Sequence, residues 1–150
     1  MDFLKIVGLS VVPTIESGYA AVYGQIATDL PNWVIFLASV IGGIILVSSL
    51  VVLFYVAVEK IRFNWFQKIM RRWFDWVRLR NSEKLQLFGM GGLIAFVSLP
   101  LPFTGLYTGL TVAYLAGLSA RYALIGGILG MIASVIVAML GWEGVDFIIS

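Results

Sequence analysis

Two long apolar stretches of this chain predict transmembrane helices. Residues 33–58 contain no charged residue and no proline, and residues 122–140 are equally apolar, with Arg121 immediately before them. At ~1.5 Å per residue, either stretch can cross the ~30 Å hydrocarbon core of a bilayer as a helix. The sequence therefore predicts one full span over 33–58 and another over 122–140.

Two further apolar stretches contain helix breakers. Residues 85–118 are too many for one crossing and too few for two, and Pro100 and Pro102 lie near their middle. Proline removes a backbone donor and clashes with the preceding helical turn, so we expect a re-entrant hairpin over 85–118. Residues 6–27 are interrupted by Pro13, Glu16 and Gly18, which predicts a broken span or a shorter hairpin.

The two interrupted stretches resemble each other. Residues 13–18 and 100–105 both read proline, three residues, serine or threonine, then glycine, and the sequence Ile-Gly-Gly-Ile recurs at 41–44 and 125–128. Transporter folds are often built from inverted repeats. The predicted fold is an all-α integral membrane protein with two inverted repeats, 1–58 and 85–150, each a re-entrant helical hairpin plus a transmembrane helix. A topology with four full spans distributes the basic residues equally well.

The segment between the repeats is basic. Eight of the ten Lys and Arg residues lie within 59–84, which by the positive-inside rule is cytoplasmic in the cell membrane. Apolar and basic residues alternate there at helical spacing, so we predict an amphipathic helix in the membrane surface. The basic residues either mark topology and face solvent, or gather anionic lipid headgroups. The candidates for headgroup contact are Lys68, Arg71, Arg72, Arg78 and Arg121.

Composition excludes several classes of protein. With 61% hydrophobic and 12% charged residues, the chain is too apolar for a soluble domain of 150 residues. It contains no cysteine and no histidine, which removes disulfides, thiol nucleophiles, Cys/His zinc sites and Ser/His catalytic pairs. We expect no enzyme, no cofactor, no metal and no nucleic-acid partner. The stretch 6–27 is a poor signal peptide, because no basic run precedes it.

Glu16 is the acidic residue deepest in an apolar stretch. It is a candidate for proton coupling or cation binding, and the alternative is a neutral carboxyl that holds a hairpin tip together. Hydroxyl groups predicted near the same depth extend this candidate pathway, although each of them can instead satisfy a local carbonyl. Helix N-termini at the tips would suit an anionic headgroup. The hydroxyl candidates are Thr14, Ser17, Thr104, Tyr107, Thr108 and Thr111, and the predicted tip residues are Pro13, Gly18, Pro100, Pro102, Gly105 and Gly109.

Two motifs resemble a known family. Residues 13–16 with Tyr19, Ala20 and Gly24, and residues 100–105 followed by Thr108-Gly109 and by 115–118, look like the small multidrug export family, a compact relative of the DedA (SNARE-associated, or VTT-domain) membrane proteins. The resemblance implies two opposed hairpins and the movement of lipids or lipid phosphates, in some branches coupled to protons. The family pattern has an arginine and a proline where this chain has Gly18 and Val22.

Three functions follow from these observations. The first is translocation or scrambling of phospholipid or polyprenyl phosphate, with Glu16 as a proton-linked group. The second is proton-coupled export of lipophilic cations, which a lone acidic site also suits. The third is a structural membrane subunit without transport. Because lipid-exposed hairpin backbone is unfavourable, we also expect a homodimer or larger assembly.

Overall fold

The described part of the chain forms six α-helices. The computed structural model describes residues 2–11, 17–57, 83–99 and 105–149, and within these ranges all regular structure is helical. The third helix continues past its α-helical part as a π-helical turn, Leu53–Ala57. In chain order the helices are α1 Asp2–Val11, α2 Ser17–Ala27, α3 Asn32–Val52, α4 Glu83–Ser98, α5 Leu106–Leu115 and α6 Ala120–Ile149.

The chain reverses direction between α1 and α2 and again between α4 and α5. A methyl group on Gly24 of α2 would lie 2.9 Å from the Ile6 side chain of α1, and one on Gly109 of α5 would lie 2.8 Å from Val97 of α4. In both pairs the contacting residues are at similar distances from the break, so the two helices run back alongside each other.

Helices α3 and α6 cross at the centre of the molecule through small residues. A methyl group on Gly43 would lie 2.5 Å from the sulfur of Met131, and one on Gly127 would lie 3.0 Å from Val47. Positions that advance along α3 meet positions that recede along α6, so the two helices are antiparallel. The side chains of Val47 and Met131 are fully buried or nearly so within the apolar core.

The glycine next to each crossing residue receives a helix from the same half of the chain. Gly42 lies against Val7 and Ser10 of α1, and Gly126 lies against Met90 and Leu93 of α4. Each Ile-Gly-Gly-Ile segment therefore packs two neighbours at once, one helix on each glycine. Both glycine pairs thus permit close packing of the helices.

The connection from α5 to α6 is fixed by hydrogen bonds. Gly117 adopts φ 74°, Leu118 N–H donates to the Ala113 carbonyl and Gly117 N–H donates to the Tyr114 carbonyl. This is the Schellman arrangement, whose left-handed position favours glycine. The Tyr55 hydroxyl donates to the Leu118 carbonyl over 2.7 Å, which anchors the connection to the end of α3.

The predicted spans agree with the structure in place but not in every boundary. Within the described ranges, two segments, 32–56 and 120–145, are long and apolar enough to cross a membrane. Helix α6 continues to Ile149, past the predicted end of the last span at residue 140. No proline follows Leu140, so a charged residue such as Glu143 ends the apolar stretch without ending the helix. The predicted surface helix lies outside the described residues, except that Glu83 and Lys84 begin α4.

The close approach at Gly42 generates a stability prediction. A methyl group there would lie 2.7 Å from the Val7 backbone oxygen, which cannot move independently of α1, whereas at Gly43 it meets the flexible end of Met131. We expect Gly42→Ala to lower the stability of the purified protein by about 1–3 kcal/mol and Gly43→Ala to cost less. Thermal unfolding in detergent measures both.

The control is Gly141→Ala, because nothing lies within 4 Å of a methyl group at that position. It should leave the unfolding temperature unchanged or raise it, since alanine favours helix over glycine. A Gly42→Ala variant as stable as the control would contradict the described contact between α1 and α3.

Candidate functional site

The structure describes three of the six predicted hairpin-tip residues. Ser17 and Gly18 form the buried start of α2, and Gly105 is buried immediately before α5. Gly109 is buried in α5 against Val97. Three predicted pathway residues, Tyr107, Thr108 and Thr111, lie in α5. The other predicted tip and pathway residues lie outside the described residues, as do the basic candidates of the surface helix: Pro13, Thr14, Glu16, Pro100, Pro102, Thr104, Lys68, Arg71, Arg72 and Arg78.

Two buried hydroxyls without partners lie beside the crossing of α3 and α6. Ser39 is 0% exposed and Ser134 is 3% exposed, and neither Oγ atom has a hydrogen-bond partner. Ser39 lies one turn before Gly43 and Ser134 one turn after Met131. Because the helices are antiparallel, both serines lie on the same side of the crossing.

The start of α2 lies next to one of these hydroxyls. A methyl group on Gly18 would lie 3.3 Å from Ser134 Oγ and 3.3 Å from Ala138 Cβ. The first backbone N–H groups of a helix have no acceptor within that helix and carry its positive dipole end. A glycine at this position therefore brings the helix start within reach of the Ser134 hydroxyl.

A third unpartnered polar atom belongs to α2. Gln25 Oε1 is buried without a hydrogen-bond partner, and Gln25 follows Gly18 by two helical turns. Residues at this spacing lie on one side of a helix. We call Ser39, Ser134, Gln25 and the first turn of α2 the polar track.

The predicted pathway residues of α5 have other environments. The Thr111 hydroxyl donates to the Tyr107 carbonyl over 2.7 Å, which is the local backbone role expected as the alternative for a threonine. Thr108 is exposed, and Tyr107 is partly buried against the core. Of the sequence candidates, Ser17 and Gly18 are therefore the ones that the structure describes at the polar track.

Sequence reasoning missed Ser39, Ser134 and Gln25. Other serines in the same apolar helices have ordinary partners: Ser10 Oγ donates to the Ile6 carbonyl and Ser49 Oγ to the Ile45 carbonyl. Composition and spacing do not distinguish the two kinds of serine. The distinction becomes visible only when burial and hydrogen bonds are known.

Two described contacts of charged side chains involve no member of the polar track. Lys5 Nζ donates to Asp2 Oδ1 over 2.8 Å on the exposed face of α1, and this contact lowers the pKa of Asp2 below its usual value. Asn32 donates to Glu143 Oε1 over 2.7 Å, which joins the start of α3 to the last part of α6. Within the described ranges no group of three metal-ligating side chains comes together.

Comparison with known proteins identifies the family. Residues 16–137 match the model of the family described as "Putative small multi-drug export protein". The chain belongs to this small multidrug export family. Neither a curated protein nor a solved structure matches it.

Membership confirms the resemblance given by the two sequence motifs. The matched region begins at Glu16 and includes both Ile-Gly-Gly-Ile segments, α2, and the serines of the polar track. Together with two helices long and apolar enough to span, it identifies a membrane protein of an export family. The relation to DedA proteins stays a prediction.

The unpartnered hydroxyls generate a prediction about stability. A buried polar group without a partner costs free energy, so its removal should not destabilise the fold. We expect Ser39→Ala and Ser134→Ala to unfold at the same temperature as the wild type or higher, in detergent at neutral pH.

The matched comparison is Ser10→Ala, which removes a buried hydroxyl that donates to a carbonyl. That variant should be no more stable than the wild type and about 1 kcal/mol less stable at most. A clear loss of stability in Ser134→Ala would show that its hydroxyl has a structural partner and would remove it from the polar track.

Proposed function

We propose that this protein is a membrane transporter that moves lipid phosphates, and that the headgroup passes along the polar track. The observation that carries the proposal is the pair of buried, unpartnered hydroxyls of Ser39 and Ser134 beside the crossing of α3 and α6. Buried polar atoms normally have partners, and exceptions call for an explanation. A substrate or water that occupies the track during transport supplies that explanation.

Reciprocal contacts support an inverted repeat in this proposal. Gly127 follows Gly43 along the chain by the same number of residues as Met131 follows Val47. Gly43 contacts Met131 and Gly127 contacts Val47, so each glycine contacts the residue four positions after its equivalent. Gly42 and Gly126 likewise receive equivalent helices. Transporters with inverted repeats bind substrate near the bilayer midplane, where the repeats meet.

The groups on the track match the chemistry of a phosphate. A serine hydroxyl both donates and accepts hydrogen bonds, and it can exchange one phosphate oxygen for another without a change of charge. The start of α2 beside Ser134 provides N–H groups and a positive dipole end, which favour an anion. In this proposal Glu16, which precedes Ser17 in the sequence, takes and releases the coupled proton.

The same proposal includes the orientation and assembly expected from the sequence. Residues 59–84 face the cytoplasm of the cell membrane, residues 85–118 and 6–27 form opposed re-entrant hairpins, and the working unit is a homodimer. The basic count of 59–84 supports the orientation. The reversal of the chain between α1 and α2 and between α4 and α5 supports the hairpins.

Export of lipophilic cations is the second candidate. The family description favours it, and so does the sequence of α2 and α3, neither of which contains a lysine or arginine. In that mechanism Glu16 alternates between a proton and the cation. The third function, a structural subunit, predicts no transport by the purified protein.

Transport in proteoliposomes tests the proposal. We expect the wild type to move fluorescent phosphatidylglycerol between leaflets, as measured by dithionite quenching. Ser134→Ala and Ser39→Ala should each lower the transport rate at least about tenfold, because each removes one hydrogen bond to a charged group. Glu16→Gln should abolish the response to a proton gradient. The control is Ser49→Ala, because Ser49 is exposed and already donates to a carbonyl.

Accumulation of tetraphenylphosphonium without movement of phosphatidylglycerol would replace the lipid proposal with the exporter. Movement of neither probe by folded protein would favour the structural subunit. Equal rates for Ser134→Ala and Ser49→Ala would contradict the role of the polar track.

A further inference from the structure

A groove between α4 and α5 lies apart from the polar track. It has a volume of about 300 Å³ and is lined mainly by apolar and small side chains. Clefts of this size and apolar character are typical of sites for hydrophobic ligands. Its lining includes Gln86, Gly92, Phe96, Val112 and Leu118.

Close helix contacts bound the groove at both ends. At one end a methyl group on Gly109 would lie 2.8 Å from Val97, and at the other a methyl group on Gly89 would lie 2.9 Å from Leu118. Between these contacts α4 and α5 separate. Gly92, Phe96 and Val112 are exposed, so the groove opens along its side.

The length of the groove corresponds to one leaflet. From Gln86 to Phe96, α4 rises about 15 Å, which is half of a ~30 Å hydrocarbon core. An extended hydrocarbon chain of a lipid in one leaflet fills the same depth. A side opening lets such a chain enter from the bilayer without crossing a polar surface.

The end of the groove at Gln86 is polar. Gln86 accepts a hydrogen bond from Ser119 N–H over 2.8 Å and donates to the Gly117 carbonyl over 3.2 Å, which fixes the start of α6 beside the groove. Arg121 is exposed in the first turn of α6. Among the described residues no carboxylate forms a salt bridge with it. Ser119, which donates its N–H to Gln86, precedes Arg121 by two residues, so the backbone of Arg121 lies near this end of the groove.

From this combination we infer that the groove binds one hydrocarbon chain of a lipid whose phosphate headgroup lies against Arg121. Charge complementarity selects an anionic headgroup, and the apolar lining selects the chain. The inference rests on the proposed function for the substrate class, and it adds a holding site outside the polar track. A lipid seated here has its headgroup at the membrane surface, before or after translocation.

Two neighbouring glycines allow a matched test. Gly91 and Gly92 both have open space around an added methyl group, but Gly92 lines the groove and Gly91 does not. A leucine at either position gains the same helix propensity, and only Gly92→Leu fills the groove. The probes are palmitoyl lysophosphatidic acid and monopalmitoylglycerol, which share a chain and differ in the phosphate, with binding measured by native mass spectrometry.

The wild type should bind lysophosphatidic acid more tightly than monopalmitoylglycerol. Gly92→Leu should weaken both at least about tenfold, as expected when about two methylene groups lose an apolar site, and Gly91→Leu should leave both unchanged. Arg121→Gln should weaken lysophosphatidic acid alone. If Gly92→Leu fails to fold, Val112→Phe on the facing helix fills the same groove and should give the same result.

Equal binding by Gly91→Leu and Gly92→Leu would overturn the inference, even if the wild type transports lipid. Competition by inorganic phosphate at the concentration of the lipid would also overturn it, because the chain would then contribute nothing. Binding and transport are measured separately. If the serine variants lose transport but still bind lipid, the polar track is affected and the groove is not.

Discussion

The crossing of α3 with α6 is the contact on which the rest of the structure depends. Gly43 and Gly127 have no side chain to keep the two helices apart. Met131 packs against Gly43, and Val47 packs against Gly127. The adjacent glycines, Gly42 and Gly126, admit α1 and α4. A bilayer gives no hydrophobic driving force between apolar helices, so close packing of this kind has to supply much of the association.

The same close packing creates the conditions for a buried polar site. Where the helices approach, side chains cannot reorient freely, and water is excluded. Ser39 and Ser134 lie one turn from the crossing and have no hydrogen-bond partner. The hydroxyls of Ser10 and Ser49, by contrast, donate to backbone carbonyls of their own helices. The fold thus maintains unsatisfied hydroxyls at its centre, and the proposed transport function gives them a use.

Much of the architecture could be predicted from the sequence, because apolar length and helix breakers are strong signals. The spans at 33–58 and 122–140 and the interruptions near Pro13 and Pro100 followed from pattern. The end of α6 did not, since Glu143 changes polarity without breaking a helix. The polar track could not be predicted, because a serine in an apolar helix looks the same in sequence whether it bonds its own backbone or faces a site. The groove could not be predicted either, because it depends on how far α4 and α5 separate.

The proposed transport function requires that the buried hydroxyls of Ser39 and Ser134 lie on a path that opens during transport. The chain has no cysteine, so a single Ser134→Cys variant can be probed in membranes with a charged, water-soluble methanethiosulfonate reagent. The control is Ala123→Cys, at a fully buried position on the same helix. The thiol at 134 should react much faster than the thiol at 123, and added lysophosphatidic acid should slow its reaction. Equal and negligible reaction at both positions would contradict the proposed path.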